Sequence, residues 1–372
     1  MPRVGVNCKI YFKMKTLKIG NLLAKVPIVQ GGMGVGISLS GLASAVANAG
    51  GVGVISAAGL GIIYNHISKN FNEASIYGLR EELRKAREKS KGIIGVNIMV
   101  ALTNFADMVK TSIEEKADVI FAGAGLPLNL PSFLKEDSVT KLVPIVSSAR
   151  ALKVICRRWI GEYGYVPDAV VVEGPKAGGH LGYSHEQIND PAYSLESIVP
   201  EVAQAAREIG EQNGKEIPVI AGGGIYTGED IANIMALGAD AVQMGTRFVV
   251  TDECDASTEF KMNYINAKEE DIEIIQSPVG MPGRAIRNSF LDKVKEGLKQ
   301  PKSCPFDCIK TCNVVNSPYC IMLALYNAYK GKMDNGYAFA GSNAWRADKI
   351  VSVSELINTL KEEYKAKMLV MA

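Results

Sequence analysis

Histidine and tryptophan are scarce in this chain, with three and two residues among 372. Long apolar runs are lacking too, since none reaches the roughly 18 residues that a membrane-spanning helix needs. The opening stretch MPRVGVNCKIYFKMK has no apolar core of the signal-peptide kind. Charge of one sign is not in excess either: the formal net charge is +2, and the lysines and arginines are interspersed. We therefore expect a cytoplasmic protein that binds neither a membrane nor nucleic acid.

Cysteine is sparse except in one short segment, where four residues follow the spacing C-x3-C-x3-C-x7-C. Reducing thiol pools disfavour structural disulfides in such a protein, so a local group of thiolates indicates a metal site. A 4Fe-4S cluster, with its four cysteine ligands, fits this spacing better than zinc, whose structural sites more often use C-x2-C pairs; zinc stays the alternative. The predicted ligands are Cys304, Cys308, Cys312 and Cys320. The remaining cysteines are interpreted as ordinary thiols: Cys8, Cys156 and Cys254.

The chain has enough apolar residues for a large core, since 47% of it is hydrophobic and 22% is charged. Runs rich in Val, Ile, Ala and Gly, typical of strands buried on both faces, occur at 27–33, 51–57, 95–100, 118–125, 144–148, 168–174, 218–224 and 241–248. Amphipathic segments of helical spacing lie between them, as at 38–49, 103–116, 149–162, 195–209 and 229–237. Eight such units predict an α/β fold of the TIM (β/α)8 barrel type. An open doubly wound sheet is disfavoured because no G-x-G-x-x-G follows the first strand.

The regular alternation ends after the eighth predicted strand. We predict a barrel core over residues 1–250, an insertion or lid subdomain with the cysteine group over 251–350, and a closing helix over 351–372. Within the middle segment, charge-rich helical stretches and a loop at 277–287 are expected. Long excursions of this kind in a compact enzyme are usually functional.

Glycines follow several of the predicted strands at the barrel end where active sites form. The turn after strand seven and the end of strand eight together predict a phosphate cradle, because backbone N–H groups are accessible there. Small residues after strand one would let a flat ring approach, and Asn97 and Glu173 are polar groups within apolar runs. Phosphate and ring together indicate flavin mononucleotide (FMN), although Asn97 alone could be a satisfied core residue. The predicted cofactor-binding residues are Gly31, Gly32, Met33, Asn97, Glu173, Gly178, Gly179, Gly222, Gly223, Gly224, Gln243, Met244, Gly245 and Thr246.

One histidine stands out because it follows strand six in a glycine-flanked loop. His180 is therefore the predicted catalytic acid or base. His66 and His185 lie in polar helical or loop contexts and are expected at the surface. Arg284, Arg287 and Lys349 are either solvated surface residues or contacts for an acidic partner.

Five motifs together carry a resemblance: PIVQGGMGVGIS, the GVN of residues 95–97, VVEGPKAGGHLG, AGGGI and QMGTRF. The chain resembles the nitronate monooxygenase (2-nitropropane dioxygenase) superfamily, which includes the FabK-type enoyl-ACP reductases. The resemblance implies an FMN-bearing barrel with a histidine at the position of His180. The segments SPVG, RAI and GSNAWRADKI, with the cysteine group, are similar to a narrower group, the FabX-type acyl-ACP dehydrogenase/isomerases. That likeness implies a cluster on the four cysteines.

The resemblance implies a flavin oxidoreductase that takes an acyl chain on acyl carrier protein or a small nitronate. The narrower likeness implies an acyl-ACP dehydrogenase/isomerase of unsaturated fatty acid synthesis, which is the function we expect. The alternatives are a nitronate monooxygenase, an NAD(P)H-dependent enoyl-ACP reductase and a non-catalytic redox sensor. His180 in its rim loop disfavours the sensor, which needs no acid or base there. A homodimer is left open.

Overall fold

The computed structural model describes residues 14–372 and contains a closed barrel of eight parallel strands. We number these β1 to β8: Ile28–Gln30, Val52–Ser56, Ile93–Met99, Val119–Gly123, Lys141–Val146, Val170–Glu173, Val219–Gly222 and Ala241–Met244. Each strand pairs with the next along the chain, and β8 pairs with β1. The predicted TIM barrel is confirmed, with strands one to several residues shorter or shifted from the sequence-based ranges. Cys8 lies outside the described residues.

Strand residues alternate between two buried sets, as the two-residue period of a strand requires. Val119 and Phe121 of β4 belong to a cluster that fills the barrel, while Ile120 and Ala122 belong to the core beneath the helices. An antiparallel hairpin, Leu17–Ile19 with Leu22–Ala24, contributes to the inner cluster. Both faces are therefore apolar, which explains the continuous Val/Ile-rich runs in the sequence.

Helices connect the strands in the usual right-handed barrel order except after β4. There the 3-10 turn Leu130–Phe133 takes the place of an α-helix. The α-helices are Ser40–Asn48, Leu60–Ile63, Phe71–Lys89, Phe105–Glu114, Ala149–Tyr163, His185–Ile188, Leu195–Asn213, Gly228–Ala236, Thr246–Val249, Thr258–Ile265, Ser289–Lys295, Ile321–Tyr329 and Val353–Met371. Among residues 14–372, no helix is both long and apolar enough to cross a membrane.

A second sheet, which we call the rim sheet, joins the barrel to the segment after it. It consists of Gly179–His180, Pro282–Ile286 and Ile272–Gln276, all antiparallel. Residues 282–286 were predicted to be loop, and that prediction is wrong: they form the central strand of the rim sheet. Pro278 and Gly280 lie in the turn between its two longer strands, whereas Pro282 and Gly283 are part of the central strand. The predicted subdomain bounds at 251 and 350 stay a prediction.

Candidate active site

A cavity of about 410 Å³ lies at the carboxyl ends of the barrel strands. It is the place where barrels carry their sites. The sequence-predicted residues on its wall are Gly31, Gly32, Met33, Asn97, Glu173, Gly178, Gly179, His180, Gly223, Gly224, Gln243, Met244, Gly245 and Thr246. Gly222 ends β7 and is not on the wall. The structure brings these residues together, and the roles assigned to them stay predictions.

The loops after β7 and β8 form a cradle of exposed backbone. Gly223 and Gly224 have φ values of +104° and +84°, which only glycine adopts without strain. Two residues from the far end of the chain brace this cradle: Asn343 Nδ2 donates to the Gly224 carbonyl at 2.6 Å, and Gly341 N donates to Thr246 Oγ1 at 3.1 Å. Such a glycine-lined cradle fits a phosphoryl group.

The part of the wall that follows β1 is lined by residues without bulky side chains, among them Gly31, Gly32 and Gly34. A Cβ on Gly32 would lie 2.2 Å from the Asn97 Cβ, so only glycine fits at that position. The Gln30 side chain fixes the start of the loop after β1, because it donates to the Gly31 carbonyl and accepts from Val54 N. The amides of Asn97 and Gln243 therefore line a preformed slot between the strand ends.

His180 lies on the rim sheet, where the sheet meets the cavity. Its Nε2 is 2.7 Å from Ser277 Oγ, and its ring packs edge-on against Phe339 with 4.9 Å between centroids. Ser277 is 2% exposed, so water does not replace it as a partner. Burial lowers the pKa of His180 to about 4, and the imidazole is therefore neutral at pH 7. A neutral imidazole keeps a lone pair on one ring nitrogen and can accept a proton there.

Glu173, at the end of β6, is a second titratable group on the cavity wall. Burial raises the pKa of its carboxyl to about 7. The Tyr183 hydroxyl donates to the Glu173 main-chain carbonyl at 2.7 Å and holds the strand end in place. The site thus combines an imidazole that stays neutral with a carboxyl that titrates near neutrality.

The segment after the barrel contributes a part of the wall whose individual residues the sequence did not indicate. This part is mostly apolar. It includes Met281, Ile309, Ile321, Met322, Leu325, Tyr337 and Phe339, with Leu102 and Leu126 from the barrel loops. Only the hairpin pattern, two β-rich runs around a Pro/Gly turn at 277–281, could have placed part of this segment near the rim.

The four clustered cysteines lie behind this apolar wall. Their loop docks on the loop after β3: Thr103 N donates to the Cys308 carbonyl at 3.2 Å and Lys310 N to the Ala101 carbonyl at 3.0 Å. Burial above all, together with the nearby Cys320, Cys304 and Cys312, raises the pKa of the Cys308 thiol to about 12. The four thiols are therefore neighbours. Across residues 14–372, however, no group of three or more Cys, His, Asp or Glu side chains is arranged to hold a metal ion.

Of the residues predicted to lie at the surface, four are exposed and one is buried. His66 and His185 are exposed as expected, and Arg287 and Lys349 are exposed and pair with Asp292 and Glu355. Arg284 instead is buried, with 7% of its surface exposed. It therefore is neither a solvated residue nor a contact for a partner.

Comparison of sequences gives one family and several relatives. The profile of the nitronate monooxygenase family matches residues 15–363. A (3aS,4S,5R,7aS)-5-hydroxy-7a-methyl-1-oxo-octahydro-1H-indene-4-carboxyl-CoA dehydrogenase of Mycobacterium tuberculosis is 28% identical over 277 residues, which are 73% of this chain and 66% of that protein. A probable nitronate monooxygenase of Staphylococcus saprophyticus is 28% identical over 318 residues, 76% of this chain and 82% of that protein.

Comparison of structures gives the same fold. FabK from Thermotoga maritima superposes with a TM-score of 0.71 at 29% identity, covering 93% of this chain and 94% of that one. A nitroalkane oxidase from Streptomyces ansochromogenes gives a TM-score of 0.71 at 23% identity, covering 93% and 98%. The second likeness concerns the fold alone.

Proposed function

Because this chain belongs to the nitronate monooxygenase family and is an oxidoreductase, we propose that it oxidises and isomerises an acyl chain carried as a thioester on acyl carrier protein. Members of the family generally depend on FMN. The glycine cradle and the slot lined by the amides of Asn97 and Gln243 support the same cofactor here. FMN bound there would supply the acceptor for a hydride from the acyl chain.

The observation that carries this proposal is the apolar part of the cavity wall that the segment after the barrel contributes. A small nitronate would leave these side chains facing an unfilled apolar space, whereas an acyl chain would cover them. Apolar walls with a few convergent polar groups are typical of sites for such ligands. The name of one similar protein, a carboxyl-CoA dehydrogenase, points to a thioester-linked substrate.

His180 is the group we assign to proton transfer. In this proposal Nε2 carries the hydrogen and donates to Ser277, which leaves the Nδ1 lone pair free to accept a proton from the acyl chain. Oxidation between C2 and C3 would pass the C3 hydride to the bound FMN and the C2 proton to His180, which would release that proton to solvent. His180 would then take a proton from C4 and return it to C2. The double bond would then lie at the 3-position.

We further propose that Cys304, Cys308, Cys312 and Cys320 hold a 4Fe-4S cluster. The neighbouring thiols and the all-sulfur donor set support this proposal. Iron and acid-labile sulfide should be found in stoichiometric amounts in protein purified without oxygen, and Cys308→Ser should lose both. The same substitution at the isolated Cys156 is the control. Zinc without sulfide would contradict the cluster and leave the flavin proposal untouched.

The function is tested by an anaerobic absorbance titration of the holoenzyme with a saturated acyl-ACP. We expect the flavin bands to bleach. No bleaching by acyl-ACP would reject the proposal. Adding a nicotinamide (NADH or NADPH), and separately propionate 3-nitronate, would then identify the activity.

The second candidate is an NAD(P)H-dependent enoyl-ACP reductase, favoured by the likeness to FabK over 93% of the chain. It predicts bleaching by NADH or NADPH and reoxidation by a 2-enoyl-ACP. Oxygen consumption with propionate 3-nitronate, and with neither of these, would indicate a nitronate monooxygenase.

A further inference from the structure

Arg284 is a buried cation on the central strand of the rim sheet. Its Nη1 donates to the carbonyls of Pro175 and Ala177, at 2.5 Å and 2.9 Å. No ion pair involves Arg284 among residues 14–372. A buried charge without a carboxylate partner costs free energy, so its position calls for an explanation beyond packing.

The two carbonyls that Arg284 binds belong to the loop after β6, which forms one wall of the cavity. The carbonyl between them, that of Lys176, accepts from Ser342 N at 3.1 Å. Three consecutive carbonyls are therefore held by groups from the segment after the barrel. Because a peptide plane is rigid, holding its carbonyl also sets the direction of the N–H on the same plane.

This loop in turn supports the phosphate cradle. A Cβ on Gly223 would lie 2.8 Å from the Gly174 carbonyl oxygen and 3.1 Å from Ala177 N, so the two loops are in close contact. The strand of Arg284 also pairs with the loop's end, since Gly283 is opposite His180 and Arg284 is opposite Gly179. The Arg284 side chain thus lies between the cradle and His180, the proposed proton-transfer residue.

We propose that Arg284 is a positioning residue that sets the shape of the cofactor cradle by clamping the Pro175–Ala177 carbonyls. The inference rests on the proposed binding of FMN. The guanidinium stays protonated here, since burial lowers its pKa only to about 10, and it holds the two Nη1 donors that bind the carbonyls in one fixed plane. A lysine keeps the charge and several donors on one nitrogen, but its freely rotating ammonium does not fix their directions.

The test measures FMN release from the holoenzyme, by recovery of flavin fluorescence on dilution, at a temperature well below unfolding. Arg284→Met should raise the FMN dissociation constant about tenfold or more, since hydrogen bonds from a charged donor are lost. Arg284→Lys should also raise it, by a smaller factor. Arg287→Met removes an exposed arginine near the same strand and should leave it unchanged.

The outcomes separate this inference from the proposed function. Wild-type protein that binds no FMN would reject the function itself. An FMN dissociation constant for Arg284→Met equal to that of the wild type would overturn the clamp. If Arg284→Met does not fold, Arg284→Lys decides: unchanged affinity in that variant means that charge alone suffices and the positioning role is wrong. A lowered melting temperature with unchanged FMN affinity would likewise show a purely structural role.

Discussion

Replacing Ser277 by alanine should slow proton transfer without weakening cofactor binding. The serine hydroxyl is 2.7 Å from His180 Nε2 and is 2% exposed. Its removal leaves one nitrogen of a buried imidazole without a partner, which costs about 1–3 kcal/mol. Without this hydrogen bond, the tautomer and ring orientation of His180 that accept the proton should be less stable by the same amount. We therefore expect kcat/KM to fall about 5- to 150-fold.

The assay is the anaerobic rate of flavin bleaching by acyl-ACP together with the yield of the shifted double bond. Ser277 is not on the cavity wall, so flavin content should stay at the wild-type level. Ser112→Ala is the matched control, because Ser112 is also fully buried and donates to the Met108 carbonyl inside a helix away from the site. It should change stability and leave kcat/KM unaltered.

Two results would refute the reasoning about Ser277. Wild-type kcat/KM in Ser277→Ala would mean that the hydrogen bond does not orient the base. An equal loss in Ser112→Ala would mean that the effect comes from general destabilisation of the fold.

Three further predictions concern the same cavity. Because burial lowers the pKa of His180 to about 4, kcat/KM should hold as pH falls through 6.5 and decline only near 4; a pH–rate midpoint near 6.5 would contradict a buried base. Gly224→Ala should weaken FMN binding about 5- to 30-fold, which corresponds to a strain of about 1–2 kcal/mol. Gly224 has a φ of +84°, and an added Cβ would lie 2.9 Å from the Lys176 side chain. Gly214→Ala is the control, at φ +64° with no neighbour within 4 Å, and should leave FMN binding unchanged. Glu173→Gln should raise the free energy of unfolding of the FMN-free protein in urea by about 1–3 kcal/mol at pH 8 and leave it unchanged at pH 4. The reason is that the Glu173 carboxyl has a pKa of about 7 in the folded protein and 4.5 when unfolded, so the wild type loses stability as the pH rises from 4.5 through 7. Equal effects at both pH values would contradict this.

The barrel could be predicted from the sequence because its signals are local. Strands such as Val52–Ser56 are buried on both faces and are followed by glycines, and the amphipathic helices between them show their own period. Gly223 and Gly224 could be placed at the cavity for the same reason, since they directly follow β7, and His180 because it lies in the loop region that follows β6.

The rest of the site could not be predicted because it depends on contacts between distant residues. Ser277 reaches His180 across 97 residues, and Arg284 reaches Pro175 across 109. No periodicity in the sequence connects such positions. Arg284 was expected near solvent because arginines usually are, and only the pairing of the rim sheet explains why it is buried.

The most direct test of the account is the position of the double bond formed from a saturated acyl-ACP by the wild type and by His180→Ala. The account predicts a 3-enoyl product from the wild type. His180→Ala should retain FMN and yield no 3-enoyl product. A 3-enoyl product formed at the wild-type rate by His180→Ala would contradict the assignment of proton transfer to this histidine.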